Sequence, residues 1–210
     1  MVDLQRVKGY IPQPVFDLLG DAFDKYEINT NERAAHFLGQ IAHESGDFRI
    51  KTESLYYSTA ARIAAIWPTR FNLDGSNNKR NAFEYTKNPQ KLAEAVYSNR
   101  MGNNEPGDGY RYRGGGFLQL TGKDAYKTYA AHIEKNVDET ADLVRADNYY
   151  ALDSALFEYA NEMNLNAIAD QGVTDDVIKK VTKVINGGYI GLPDRIKKVN
   201  IFYQLLTKEI

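Results

Sequence analysis

Apolar residues recur at intervals of three and four through most of the chain. From Pro14 to Tyr26 they fall at Val15, Leu18, Leu19, Ala22, Phe23 and Tyr26, which is one face of a helix. Asn29 and Glu32 have the spacing of a capping box, and Ala34, Phe37, Leu38 and Ile41 continue with helical period. Pro89 fits the first position of a helix carrying Leu92, Ala93, Val96 and Tyr97. Tyr149, Leu152, Leu156, Tyr159 and Met163 mark another. Val173, Val177, Ile178, Val181 and Ile185 mark the next, closed by Gly187 and Gly188. Pro193 opens a last amphipathic helix through Ile196, Val199, Phe202, Tyr203 and Leu206. Strand patterns are scarce: a short ribbon is expected around Tyr110–Leu120, and Asn72–Asn81 reads as a polar turn or loop. With no repeat, low-complexity linker or break in composition, the pattern predicts a mainly α protein. A single globular domain over residues 1–210, with one large Gly-rich loop region, is the expectation.

Composition narrows the classes. The chain has 210 residues, 43% hydrophobic and 26% charged, as expected of a globular protein with one well-buried core. A net charge of −2 gives no general reason to expect nucleic-acid binding. There is no cysteine, hence no disulfide or thiolate chemistry. The N-terminus lacks the apolar core of a secretory signal, and no segment approaches the ~20 apolar residues of a membrane span. Synthesis in a cytoplasm and no stable membrane insertion are the expectations.

Seven of the 16 glycines lie within Gly102–Gly122, "GNNEPGDGYRYRGGGFLQLTG", among Tyr110, Tyr112, Phe117, Arg111 and Arg113. Such a cluster implies unusual backbone angles or a close approach of the backbone to something. A P-loop is excluded by the spacing of Gly116 from Gly122-Lys123 and by Asp124 where Ser or Thr is needed. The dinucleotide fingerprint is absent too, so no nucleotide cofactor is expected. The aromatics, Arg111, Arg113 and Gln119 suit sugar recognition, by stacking and planar hydrogen bonding, with bare main chain reaching the sugar edges. The alternative is an irregular connector whose aromatics belong to the core.

His36 and His43 are two helical turns apart, too far to share an ion easily, and a further ligand would have to be His132 or a carboxylate. No metal is expected, and His36 reads as a half-buried helix residue. The carboxylates are more informative. Glu44 ends an apolar helix at the edge of its buried face, where partial desolvation favours the protonated form that a general acid needs. Ser45-Gly46 turns the chain back, and Glu53 follows in a polar setting with Ser54, Tyr56, Tyr57 and Ser58. One carboxyl in an apolar setting and one in a polar setting is the arrangement of glycoside hydrolysis. Two solvated surface glutamates are the alternative.

The segments "AHESGDF", "LAEAVYSNRMGNNEPGDGYRYRGGGFLQLTG" and "VTKVINGGYIGLPDR", in that order, resemble glycoside hydrolase family 19, known first from chitinases. They resemble most the compact phage endolysins of that family, and the resemblance runs from about Ala34 to Phe202. It implies a lysozyme-like superfold with the Gly-rich segment lining a cleft. It also implies Glu44 as general acid, Glu53 as the carboxylate that activates water, and Thr121 as the hydroxyl that holds the water. Gln119, Asn186 and Arg195 correspond to substrate-side residues; Tyr110, Tyr112, Arg113 and Tyr56 join them as expected sugar contacts. Inversion at the anomeric carbon is implied, with carboxyls roughly 6.5–9.5 Å apart. Three positions depart from the pattern. Gly115 replaces the arginine of a Gly-Arg-Gly loop, with Arg113 nearby. Ala125 replaces an asparagine. Ile190 stands where plant chitinases carry an acid, which together with the missing cysteines favours the endolysin branch.

The function expected is therefore a phage endolysin that cuts the β-1,4 bonds of peptidoglycan strands, of muramidase type, working as a monomer without cofactor or separate wall-binding domain. It would accumulate in the host cytoplasm and reach the wall at lysis. A chitinase and a non-catalytic wall-binding module are the alternatives. The Lys-rich stretches "DVIKKVTKV" and "DRIKKVNIFYQLLTKEI" read as solvated helix faces, or as a surface for an anionic envelope.

Overall fold

The computed structural model describes residues 2–208 and is mainly helical; Glu209 and Ile210, the end of the second Lys-rich stretch, lie outside the described residues. After a 3-10 turn at Leu4–Val7, the first α-helices in chain order are α1 (Gln13–Phe16), α2 (Leu19–Lys25), α3 (Asn31–Glu44) and α4 (Ala60–Ile66). A two-stranded parallel ladder follows, β1 (Phe71–Asn72) with β2 (Arg80–Asn81). Then come α5 (Pro89–Tyr97), α6 (Asp108–Arg111), α7 (Lys123–His132), α8 (Val137–Ala146) and α9 (Asn148–Leu156). A π-helical segment, Phe157–Glu162, leads to α10 (Leu165–Ala169), α11 (Asp175–Asn186) and α12 (Leu192–Thr207). Among the described residues no helix is long and apolar enough to cross a membrane.

The chain packs as two compact units. The first comprises the chain up to Lys51, Gly115–Leu120 and the chain from Asp142 onward. Its axis is α3, buried from Ala34 to Ala42 and packed along α12. Thr30, not Asn29, caps α3: its side chain accepts from Arg33 N. At Gly39 the two helices meet backbone to backbone. A Cβ there would lie 2.6 Å from Val199 N and Cα, so only glycine permits this crossing. Edge-to-face contacts of Phe37 with Phe23 and Tyr159, at 5.8 and 5.3 Å, continue the core.

The second unit comprises Thr52–Gly114 and Thr121–Ala141. Leu55, Ile63, Phe71, Tyr85, Leu92 and Val96 form its core, edged by Tyr57, Trp67 and Tyr110. Asn88 caps α5 through Lys91 N, with Pro89 at its first position as the sequence indicates.

Some expected elements differ. The Pro14–Tyr26 helix is broken into α1 and α2 at Asp17–Leu18, where Leu18 N closes a tight turn on Val15 O. The helix expected through Met163 loosens into the π-helical segment after Leu156. The ribbon expected over Tyr110–Leu120 narrows to one bridge, Gly115 with Leu120, because Tyr110 belongs to α6.

Gly39→Ala is expected to lower stability by about 1–3 kcal/mol, because Val199 meets it with backbone that cannot rotate away. A urea titration of the two proteins checks this.

Candidate active site

Glu44 is the last residue of α3, where the helix presents the negative end of its dipole. Arg195 meets it there: Nη2 donates to Glu44 Oε1. Arg195 is 1% exposed, and its other donors are also placed, Nη1 on Gln40 Oε1 at 2.7 Å and Nε on Ile190 O at 3.1 Å. Gln40 in turn donates to Thr182 Oγ1 at 3.0 Å. A buried chain of hydrogen bonds thus runs from α11 through α3 and α12 to Glu44, whose side chain keeps 21% exposure. The apolar wall expected around Glu44 is replaced by this ion pair. Arg195 is likewise corrected: with 1% exposure it supports Glu44 and does not present a surface to a sugar.

The neighbouring residues form a second tie. His43 Nδ1 lies 2.6 Å from Asp194 Oδ2, and this hydrogen bond holds the Asp194 carboxyl below the usual carboxylate range. Gly191, at φ +73°, leaves room for the His43 ring, which a Cβ would meet at 2.3 Å. Ile190 is 76% exposed while its carbonyl serves Arg195, so main chain supplies an acceptor at the position where the acid is missing. The helix stops at Ser45, whose Oγ donates to Ile41 O and accepts from Phe48 N, and Gly46, Asp47 and Phe48 all take positive φ.

In the second unit, Glu53 is fixed at three points. Its N–H donates to Gly114 O at 2.9 Å, and Gly114 N–H donates back to Oε2 at 3.0 Å. The Tyr97 hydroxyl, at the end of α5, donates to Oε1 at 2.7 Å. Burial and then the Glu53 charge push the Tyr97 phenol well above its ordinary range, so it stays a donor. α5 also holds the loop, since Glu94 Oε1 accepts from Tyr110 N at 2.9 Å.

The glycines of the loop serve the protein's own packing. A Cβ at Gly109 would lie 2.9 Å from Ala93 O, and one at Gly122 would lie 2.5 Å from Met101 Cβ. Gly116, in the first unit, leaves room for Ser154 Oγ at 2.7 Å. The expectation that this bare backbone is laid open for sugar edges is corrected accordingly at these positions. Tyr112 is corrected too: it is 1% exposed, packed on Tyr126, and its hydroxyl donates to Asp138 Oδ1. Tyr110 is half-buried, with the Arg113 guanidinium 3.9 Å over its ring and Arg113 Nη1 on its own carbonyl. Tyr56 is 57% exposed. Thr121 is half-buried, just before the cap of α7. In the first unit, Gln119 is half-buried at φ +61° with its amide on Gly116 O, and half-buried Asn186 ends α11. His36 is fully buried, with Nε2 3.0 Å from Gly172 O; burial lowers its pKa.

The structure thus places Glu44 with Arg195 in one unit, and Glu53 with Gly114 and Tyr97 in the other. Gln40 and Tyr97 were not singled out from sequence. Gln40 had a signal, a polar residue inside the apolar face one turn before Glu44. Arg195→Met is expected to cost about 3 kcal/mol of stability, by stranding Gln40 and Glu44. Thermal unfolding beside the wild type checks this.

No family profile matches the chain. A protein of Haemophilus influenzae described as a glycosyl hydrolase family 19 domain-containing protein is 27% identical over 199 residues, 93% of this chain and 91% of that one. The fold is that of chitinase C from Streptomyces griseus, with TM-score 0.58 and 20% identity, covering 97% of this chain and 74% of that chain. A bacterial family 19 chitinase matches with TM-score 0.57 and 19% identity, over 96% and 89% of the two chains. Three ordered motifs, a relative matched along nearly its whole length and a shared fold together make this chain a glycoside hydrolase similar to those of family 19.

Proposed function

We propose that the chain hydrolyses the β-1,4 glycosidic bonds of bacterial peptidoglycan as a phage endolysin, by single displacement with inversion. The observation that carries this reading is the fixing of two carboxylates by buried scaffolding, Glu44 by Arg195 and Glu53 by Gly114 and Tyr97. A wall-binding module has no use for such a pair. In the proposed step Glu44 gives its proton to the leaving oxygen as the anomeric C–O bond breaks. Water adds to the anomeric carbon from the opposite face, and its proton passes to Glu53. Arg195 engages one oxygen of Glu44 and leaves the other for the proton transfer. Tyr97 and Gly114 fix the rotation of Glu53, and the Thr121 hydroxyl orients the water. Gln119, Asn186, Tyr110, Arg113 and Tyr56 are the proposed sugar contacts, working without metal or cofactor.

The endolysin motif order, the lack of cysteine and Ile190 in place of an acid support peptidoglycan. Chitin is the second reading, favoured by the description of the solved proteins of this fold as chitinases. The two units are proposed to act together as one catalytic domain, in a monomer made in the host cytoplasm and released to the wall at lysis.

Reducing ends labelled with borohydride, on de-O-acetylated peptidoglycan and on hexameric chitin, test the reading. New reducing muramic acid from the wild type, and none from Glu44→Gln, is expected. Reducing glucosamine from peptidoglycan would make the enzyme a glucosaminidase, and cleavage of chitin alone would make it a chitinase. No reducing ends from either polymer would overturn the two-carboxylate mechanism. Tyr97→Phe is expected to keep the fold and lower kcat/KM about tenfold or more, the worth of a hydrogen bond to a charged acceptor. Initial rates on the cleaved polymer measure it.

A further inference from the structure

Glu44 lies at the C-terminal end of α3. At the other end, eleven residues away and so about 16 Å along the helix, Arg33 borders a cavity of about 440 Å³ within the first unit. A cavity of this size accommodates a small ligand. Its borders include the end of α2, the π-helical segment and α10.

The charges around it are largely matched. Arg33 holds Asp170 at two points, 2.7 and 2.6 Å, and Lys25 holds the buried Asp153 at 2.7 Å. Exposed Glu27 adds a carboxylate, so the walls do not favour an anion. What remains are the exposed amides of Asn161 and Asn164, with Asn166 beside them already donating through Nδ2 to Tyr26 O at 3.0 Å, and the small apolar Ala160 and Ala167. Paired amide donors and acceptors next to a small apolar surface suit the hydroxyl, acetamide and C–H faces of a neutral sugar.

One lining residue also carries an unpaired polar atom. Among the described residues, four buried side-chain atoms have no hydrogen-bond partner: His36 Nδ1, Glu158 Oε2, Tyr159 Oη and Asn166 Oδ1. Of these four residues Asn166 lines the cavity, with its Nδ2 donating to Tyr26 O at 3.0 Å and its Oδ1 left over; His36, Glu158 and Tyr159 are not lining residues and share only the elements that border it. Buried polar atoms are almost always paired. π-Helical segments are rare and are frequently found at functional sites. Asn164, at φ 50° and ψ 42°, holds the left-handed turn that brings the asparagines together after that segment.

We infer that this cavity is a second glycan-holding site, binding a neutral amino-sugar unit of the polymer away from the bond being cut. The inference rests on the reading of the substrate as a β-1,4-linked amino-sugar polymer.

The test is an amide-shift titration of full-length, 15N-labelled Glu44→Gln protein, with chitotriose and with the N-acetylglucosamine–N-acetylmuramic acid disaccharide. Saturable shifts at residues 25–27 and 160–170 are expected with at least one of them. The exposed pair Asn161→Ala and Asn164→Gly, the latter keeping the left-handed backbone, should weaken that binding about three- to tenfold, the worth of lost hydrogen bonds. In the active protein the same pair should slow turnover of insoluble polymer and leave soluble oligosaccharides unaffected. No shifts at the cavity, or binding unchanged by the double variant, would overturn the inference. The two readings fail separately. Cleavage by the wild type with a silent cavity sinks the second site alone. Saturable shifts at the cavity without cleavage of either polymer sink the hydrolase mechanism and leave the second site standing.

Discussion

The contact on which the rest of the first unit depends is the backbone-to-backbone crossing of α3 and α12 at Gly39 and Val199. Val199 lies one turn after Arg195, and Gly39 lies directly before Gln40, with Glu44 one turn further. Bringing the two helices to touching distance at that point puts a buried guanidinium within reach of both side chains. A larger residue at position 39 would push α12 outward and lengthen both hydrogen bonds from Arg195 to α3 together. The Glu44 carboxyl would then sit alone at the negative end of the α3 dipole. The parallel tie of His43 to Asp194 braces the preceding residue on each helix, so the end of α3 is held at two adjacent positions.

The second unit solves a similar problem with main chain. A carboxylate on an irregular segment has several rotamers, and orientation is lost unless something takes both oxygens. Gly114 takes one while pairing with the Glu53 backbone, and Tyr97 takes the other from the end of a packed helix. The cluster of glycines then has a structural cause: α6 closes on the Ala93 carbonyl at Gly109, and Gly122 passes over Met101.

The long periodic helices were legible in the chain, because α3, α5, α11 and α12 each carry a strong apolar face and a capping or terminating residue. The motifs around Glu44, through the Gly-rich segment and around Asn186 were legible as a family resemblance. What the sequence concealed depends on partners distant along the chain. Arg195 reads through the resemblance as a substrate-side residue, and only the crossing at Gly39 shows it to be buried. Tyr110 and Tyr112 are two residues apart, yet one packs half-open under Arg113 and the other is sealed against Tyr126. Composition cannot tell them apart, because the short α6 sets which one turns inward. The π-helical segment also left no periodic signal, since Tyr159 and Met163 fit an ordinary helix equally well.

The central claim is that Arg195 acts on catalysis through Glu44. The most direct measurement compares wild type and Arg195→Lys on two aryl chitooligosaccharides, one with a poor phenol leaving group and one with a dinitrophenol that departs without protonation. If Arg195 positions the acid, the variant is slow on the first substrate and close to wild type on the second, as general acid catalysis requires. Equal losses on both substrates would contradict the account and make Arg195 a residue that merely holds the fold.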